Sequence, residues 1–313
     1  MNETPKKFID FIITQNCTFK CKYCSQSKIY TKNPKHASKN TIKSFYKLLK
    51  KIDKDYEITI TGGEALLHPD FFEIIENIKL LDFKINLITN LSFNFNLYKE
   101  IFAKLEDNLN RFDISFHIDE ILNFDSMLEK LEKIISIIPK NTKTTFYIPL
   151  YKIDEKKERK IEKILEIANK YQKEYSFQKI RFLDKYTKEE NKKFISAHKK
   201  IKSYSNFCYA GSKSAVIYEN GDVYRCYSSR FNKSNYLGNI NNKNFKLLNA
   251  PQVCTNKFCT CPKPMNYNQI TESKNSKKAF FLNCINKFYF PFLLIRNFNI
   301  AKTKFNHFFG SRG

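Results

Sequence analysis

Three cysteines fall within the eight residues "CTFKCKYC": Cys17, Cys21 and Cys24. Thiolates packed so closely along a chain suit a metal, and their number limits which one. A structural zinc ion takes four ligands in a closed tetrahedron. No fourth Cys or His stands beside these three; His36 lies in a Lys/Asn/Pro-rich loop and reads as a surface residue. A [4Fe–4S] cluster is ordinarily held by four thiolates. Three would leave one iron open to an outside ligand, and gaps of three and two residues let a single loop wrap three corners of a cube.

Two further groups carry chemistry. The stretch "TGGEALLHPD" (61–70) places Gly62 and Gly63 beside Glu64. The glycines admit a close backbone approach because they lack a Cβ, and the glutamate is an acceptor suited to an ammonium group. Downstream, Cys208 is followed by Gly221 and Cys226, and then by "CTNKFCTCP" with Cys254, Cys259 and Cys261. Cysteines flanking a hairpin suit zinc as well as iron–sulfur chemistry. Cys284 lies outside any motif and reads as a buried apolar residue.

The elements that must position these residues follow from periodicity. Short apolar runs rich in β-formers occur at 8–14, 56–61, 83–89, 111–117, 144–150 and 178–184. Between them lie stretches with apolar spacing of three and four at 39–52, 70–81, 97–106, 123–138 and 155–174. Pro69 reads as a first-turn residue of the second helix. Strand–helix alternation of this kind gives a parallel sheet with crossover helices. Six such units fit a partial or complete barrel, where chemistry gathers at the C-terminal strand ends. Cys17 follows the first strand and Glu64 the second. "LITNLS" puts Asn90 after the third, and "DISFHID" puts Ser115 and His117 on one face of the fourth.

After about residue 203 helical periodicity fades, and "GSKSAVIYENGDVYRCYSS" reads as a β-hairpin turning at "NGD". The expected organisation is a barrel over 1–203, a small cysteine module over 204–268 and an extension over 269–313. That extension is aromatic, apolar and basic at once. Asn283, Lys287 and Pro291 interrupt it, so it is a poor membrane span. It either packs on the body or lies at a membrane interface with lysines toward the headgroups.

Composition narrows the setting. With 42% hydrophobic residues, 30 Phe and 18 Tyr, the 313-residue chain has the material for a core and is not disordered. No signal peptide is legible, so nine cysteines point to a reducing, cytoplasmic compartment and to metal or redox chemistry. The net charge of +24 matches a nucleic acid or an anionic membrane. Yet arginine is sparse and no basic cluster stands out, so no specific nucleic acid is expected.

CxxxCxxC with Tyr23 before the last cysteine, followed by "GGE" after the second strand, resembles the radical S-adenosylmethionine (radical SAM) superfamily. Cys208, Gly221 and Cys226 at CX9–15GX4C spacing, with further cysteines downstream, resemble the twitch domain, the short form of the SPASM domain. The resemblance implies an α/β protein: a partial (β/α)6 TIM-like barrel with a small C-terminal β-hairpin iron–sulfur module. It implies that Cys17, Cys21 and Cys24 hold a [4Fe–4S] cluster whose open iron takes S-adenosylmethionine (SAM). Gly62, Gly63, Glu64, Asn90, Ser115 and His117 are then the expected cofactor contacts. An auxiliary [4Fe–4S] cluster would take Cys208 and Cys226 with two or more of Cys254, Cys259 and Cys261. No residue is assigned a direct catalytic role.

The implied activity is that of an oxidoreductase-like enzyme. It reductively cleaves SAM to a 5′-deoxyadenosyl radical that abstracts hydrogen from a substrate carbon. Flavodoxin or ferredoxin is the kind of reductant expected, and the auxiliary cluster would move electrons. A first barrel strand starting within ten residues leaves no preceding peptide-recognition domain, which favours a small-molecule or sugar-like substrate. A peptide maturase of the SPASM type is the alternative within the family. A zinc-stabilised RNA-binding protein is the alternative outside it.

Overall fold

The first strand, β1 (Phe8–Thr14), is buried at all seven positions. An apolar run without alternation belongs to a strand covered on both faces, as in a parallel sheet. The computed structural model, which describes residues 5–24, 33–180, 201–202, 207–227, 235–254, 258–259 and 270–271, places β1 in such a sheet. It is followed by β2 (Glu57–Gly62), β3 (Lys84–Thr89), β4 (Leu109–Ser115), β5 (Thr145–Leu150) and β6 (Glu174–Lys179). Each pairs in parallel with the next. The crossovers carry α1 (Lys39–Leu49), α2 (Phe71–Leu80), α3 (Phe95–Leu105), α4 (Phe124–Ile137) and α5 (Glu155–Lys170). This is the partial (β/α)6 barrel that the alternation predicts.

Local signals explain the helix starts. Ser38, Asn94, Asn123 and Asp154 each accept a hydrogen bond from a first-turn N–H of α1, α3, α4 and α5, which satisfies a donor that has no partner within the helix. Each helix then turns an apolar face to the sheet. Phe45 of α1 meets Phe11 of β1 with ring centroids 4.4 Å apart, and Phe102 of α3 meets Phe112 of β4 at 5.0 Å.

Several boundaries differ from the periodicity. The sixth strand is expected at 178–184 and lies at Glu174–Lys179. It is an edge strand whose Glu174 and Tyr175 are exposed, so its pattern lacks the apolar run of its neighbours. The helix before it ends at Lys170 rather than 174, because Gln172 turns the chain at φ 51°. The fourth strand ends at Ser115, and His117 already caps a 3-10 turn over Ile118–Glu120. Pro69 lies before the Asp70 cap of α2, outside its first turn.

The second module joins this sheet. β7 (Ile201–Lys202) and β8 (Phe207–Cys208) lead to a hairpin of β9 (Ser214–Ile217) and β10 (Asp222–Tyr224). The hairpin turns at Gly221, whose φ of 86° suits glycine, and Asn220 Oδ1 accepts from Asp222 N at 3.0 Å. Strand β9 pairs in parallel with β1, from Phe8↔Ser214 to Phe11↔Ile217. With β11 (Tyr236–Asn239) the sheet reaches nine strands in the order β11-β10-β9-β1-β2-β3-β4-β5-β6. Short strands complete the module: β12 (Gln252–Val253) and β14 (Ile270–Thr271) flank β8, and β13 (Phe258–Cys259) pairs with β7. Cys261, Cys284 and residues 272–313 lie outside the described residues.

Candidate active site

Strand β1 ends at Thr14 and the chain runs directly into the cysteine loop. That loop is hydrogen-bonded to the glycine turn after β2: Gly63 N donates to Thr14 O at 2.9 Å and Glu64 N to Asn16 O at 2.7 Å. The reason for the two glycines is visible there. A Cβ on Gly62 would stand 2.5 Å from Thr14 O, and one on Gly63 would stand 2.7 Å from Asn16 C and 2.8 Å from Gln15 O. The close backbone approach anticipated for these glycines is made by the protein's own chain.

His36 is no mere surface residue. It is half-buried, with Nδ1 2.9 Å from Thr14 Oγ1 and Nε2 2.8 Å from Asn16 Nδ2. The amide can only donate, so Nε2 is the acceptor and Nδ1–H donates to Thr14. Behind it His68 presents an edge at 5.2 Å. His68 Nε2 donates to Ala37 O at 3.1 Å while Nδ1 accepts from Asp70 N at 3.0 Å. Burial holds the His68 ring below its ordinary pKa, which keeps it neutral.

The cysteines occupy the mouth of the barrel. Cys17 is exposed, Cys21 buried and Cys24 half-buried. Cys24 N donates to Cys21 O at 3.0 Å, which closes the loop's last turn. Desolvation pushes both the Cys17 and the Cys21 thiols up, the latter to about 12; Cys17 also senses the charge of Cys24, and Cys21 that of Cys24 and Cys17. Two donors point at Cys17 Sγ: Phe19 N at 3.4 Å and Asn90 Nδ2 at 3.6 Å. Among the described residues no three Cys, His, Asp or Glu side chains converge as ligands of one metal ion do. The donor set itself, three thiols on one loop with N–H groups aimed at the Cys17 sulfur, fits an iron–sulfur cluster.

Glu64 sits at the centre and is 1% exposed. Its carboxylate accepts from Asn90 N at 2.7 Å, Thr89 Oγ1 at 3.2 Å and Leu66 N at 3.5 Å. Burial raises its pKa to about 7 against the pull of those three donors. Glu64 thus ties the end of β2 to the end of β3. Asn90 uses its side chain on the cysteine loop, donating to Thr18 Oγ1 at 2.9 Å and accepting from Ser92 N at 3.0 Å.

His117 and Ser115 do meet, at 3.1 Å between Nε2 and Oγ. The other ring nitrogen, Nδ1, lies 3.0 Å from the Tyr23 hydroxyl, and the Tyr23 ring stacks on the imidazole at 5.8 Å. Both nitrogens of His117 are thus engaged by this chain, and burial lowers its pKa to about 4. Tyr151 packs on Tyr23 at 5.0 Å, and Glu120 accepts from Lys20 N at 3.0 Å. The loop is therefore pinned to the ends of β3, β4 and β5.

The second cysteine group is gathered by strand pairing. Gln252 faces Cys208 in register, which brings Cys254 beside it. Cys208 senses both Cys226 and Cys254; burial pushes its thiol up to about 11, and Ala210 N–H and the Arg225 charge oppose that rise. The backbone of Cys259 lies in β13, while its side chain and Cys261 are outside the described residues. The residues that sequence reasoning missed are Thr14, Asn16, His36, the Tyr23 hydroxyl and Arg225. Arg225 and Tyr23 carried a signal, each standing directly before a cysteine of a motif.

This architecture is the one that comparison finds. Residues 11–203 match the family model described as the radical SAM superfamily, and residues 208–274 match SPASM, an iron–sulfur cluster-binding domain. The chain belongs to the radical SAM superfamily and carries a SPASM-type iron–sulfur domain. Its cofactors are SAM and [4Fe–4S] clusters.

Over 84 residues it is 31% identical to the GTP 3′,8-cyclase of Staphylococcus epidermidis, covering 25% of this chain and 24% of that protein. Over 104 residues it is 36% identical to a probable GTP 3′,8-cyclase of Methanocaldococcus jannaschii, covering 33% and 34%. The chain thus spans a quarter to a third of the curated relatives it matches. Streptococcus suis SuiB bound to precursor peptide SuiA shares the fold with a TM-score of 0.55 and 15% identity over 76% of this chain and 63% of that one. AdoMet-bound anSMEcpe does so at 0.54 and 14% over 76% and 78%. Among the described residues no helix is long and apolar enough to cross a membrane.

Proposed function

We propose that the protein reductively cleaves SAM and abstracts hydrogen from a small hydroxylated, sugar-like substrate, with net oxidation of it. In this reading Cys17, Cys21 and Cys24 hold the SAM-binding cluster. The turn of Gly62, Gly63 and Glu64 with Asn90, Ser115 and His117 forms the wall around the cofactor. When bound, the cluster and SAM supply an electron and a 5′-deoxyadenosyl radical. The chain's own residues do the rest: they place the loop, keep the imidazole neutral and hold the carboxyl of Glu64 away from water. Cys208 and Cys226, with two of Cys254, Cys259 and Cys261, would hold an auxiliary cluster, which would take the substrate's electron.

The observation that carries this reading is the bonded joint between the cysteine loop and the glycine turn, Gly63 N to Thr14 O and Glu64 N to Asn16 O. It makes two distant motifs one rigid site. The substrate class is supported by the rim. The Tyr151 ring, with Lys157 Nζ 5.9 Å from its centroid, stands near the Asp119–Lys157 ion pair at 2.7 Å. A ring face beside paired polar groups suits a hydroxylated ligand. A flavodoxin- or ferredoxin-like reductant and contact of residues 269–313 with an anionic membrane belong to the same proposal.

The test is anaerobic reconstitution with a strong reductant. Wild type yields 5′-deoxyadenosine from SAM and Cys21→Ala does not. Equal yields from both would remove the assignment.

A further inference from the structure

Arg225 is 7% exposed, and among the described residues it forms no ion pair with a carboxylate. A buried guanidinium without a counter-charge is expensive, so what surrounds it matters. All five of its N–H groups are used. Nε donates to Ala210 O at 2.7 Å. One terminal nitrogen donates to Asn235 Oδ1 at 3.3 Å and Val253 O at 3.2 Å. The other donates to Cys208 O at 3.3 Å and Gln252 O at 3.0 Å.

These acceptors are not scattered. Cys208 and Ala210 belong to the first cysteine segment, and Ala210 N in turn donates to Cys208 Sγ at 3.4 Å. Gln252 and Val253 lead directly into Cys254, and Arg225 itself precedes Cys226. One side chain therefore ties together the segments that carry Cys208, Cys226 and Cys254. Room is made for it: a Cβ on Gly211 would stand 2.9 Å from Arg225 Cγ, and Gly211 takes a φ of 99°.

We propose that Arg225 is a positioning residue that holds Cys208, Cys226 and Cys254 in one arrangement and raises the reduction potential of the cluster they bind. The inference rests on the reading of these cysteines as ligands. The positioning follows from the fork of five bonds, which a lysine with three donors cannot reproduce. The effect on potential follows from charge. Reduction adds a negative charge to the cluster, and a cation enclosed beside it in a low-dielectric setting favours the reduced form. The thiolates and the cluster are the counter-charge that this guanidinium finds nowhere else among the described residues.

The experiment uses the full chain carrying Cys17→Ala, Cys21→Ala and Cys24→Ala, so that only the second cluster loads, with iron counts, thermal melting and an EPR-monitored redox titration. In Arg225→Gln, at the poise that half-reduces the parent, the reduced-to-oxidised ratio falls about tenfold, a shift of about 59 mV for a one-electron couple. Arg225→Lys keeps the parent midpoint but melts lower and holds less than the roughly four irons of a whole cluster. A parent midpoint in fully loaded Arg225→Gln overturns the proposal, as does a midpoint in Arg225→Lys displaced as far as that of Arg225→Gln. If Arg225→Gln loads no cluster, positioning is supported and the Arg225→Lys midpoint decides the role of charge. Cys208→Ala is the separate control: undiminished iron there refutes the ligand reading, and no arginine variant can produce that result.

Discussion

Gly63→Ala tests the joint at the centre of the site. The added methyl would lie on the Asn16 carbonyl, 2.7 Å from its carbon and 2.8 Å from Gln15 O. Both neighbours are backbone, so no side-chain rotation relieves the clash. The loop must retreat, which breaks Glu64 N to Asn16 O and strains Gly63 N to Thr14 O. Two backbone hydrogen bonds are worth about 2 kcal/mol, and overpacking against a fixed wall adds about 1–3 kcal/mol. A loss of roughly 4 kcal/mol lowers Tm by about 10 °C for a domain of this size. Cys17 follows Asn16 directly, so the retreat also displaces a cluster ligand. The assay is anaerobic reconstitution followed by iron analysis and thermal melting. The variant is expected near four irons where wild type holds about eight. Wild-type iron content at a wild-type Tm would refute the reasoning.

Two buried groups make stability depend on pH in opposite directions. Glu64 has a folded pKa near 7 against 4.5 unfolded, so the folded chain holds its proton more tightly and stability falls as pH climbs between those values. From pH 5.5 to 8 that amounts to about 2 kcal/mol, which Glu64→Gln removes in denaturant titrations. His117, held down to about 4 from 6.5, acts the other way, losing stability as pH falls through that window. His117→Gln therefore steepens the decline toward high pH, and parallel curves for wild type and both variants would count against this pairing. A chain ending at residue 268 should bind anionic vesicles several-fold more weakly than the full chain, and equal partition in a flotation assay would dismiss a membrane role for residues 269–313.

The barrel was legible because short β-rich apolar runs alternate with stretches whose apolar residues recur at three and four. The strand at Phe8–Thr14 was readable to the residue. The edge strand at Glu174–Lys179 was not, since its exposed first residues and half-buried middle dilute the signal that burial writes into sequence. The cysteines and the glycine turn were legible as motifs, but the purpose of the glycines was not. Only the fold reveals that Asn16 passes over Gly63. His36 was hidden for a similar reason: its partners Thr14 and Asn16 lie some twenty positions upstream, and nothing local marks a histidine that will bridge them. His117 was legible as a polar strand-end residue, but its partner was not. Its bond to the hydroxyl of Tyr23 joins the segment after β4 to a loop far earlier in the chain, which no local pattern announces.

The parallel docking of β9 on β1 reaches beyond the site itself. Strand β1 is buried on both faces, and β9 supplies the hydrogen bonds along its outer edge from Phe8 to Phe11. A chain severed between the barrel and the cysteine module would expose that edge as a ready template for another strand. The module thus serves as a guard against self-association, quite apart from any electrons it carries. A barrel expressed without it should be sought in the insoluble fraction, and grafting a different electron-carrying module onto this barrel would first require a replacement for β9.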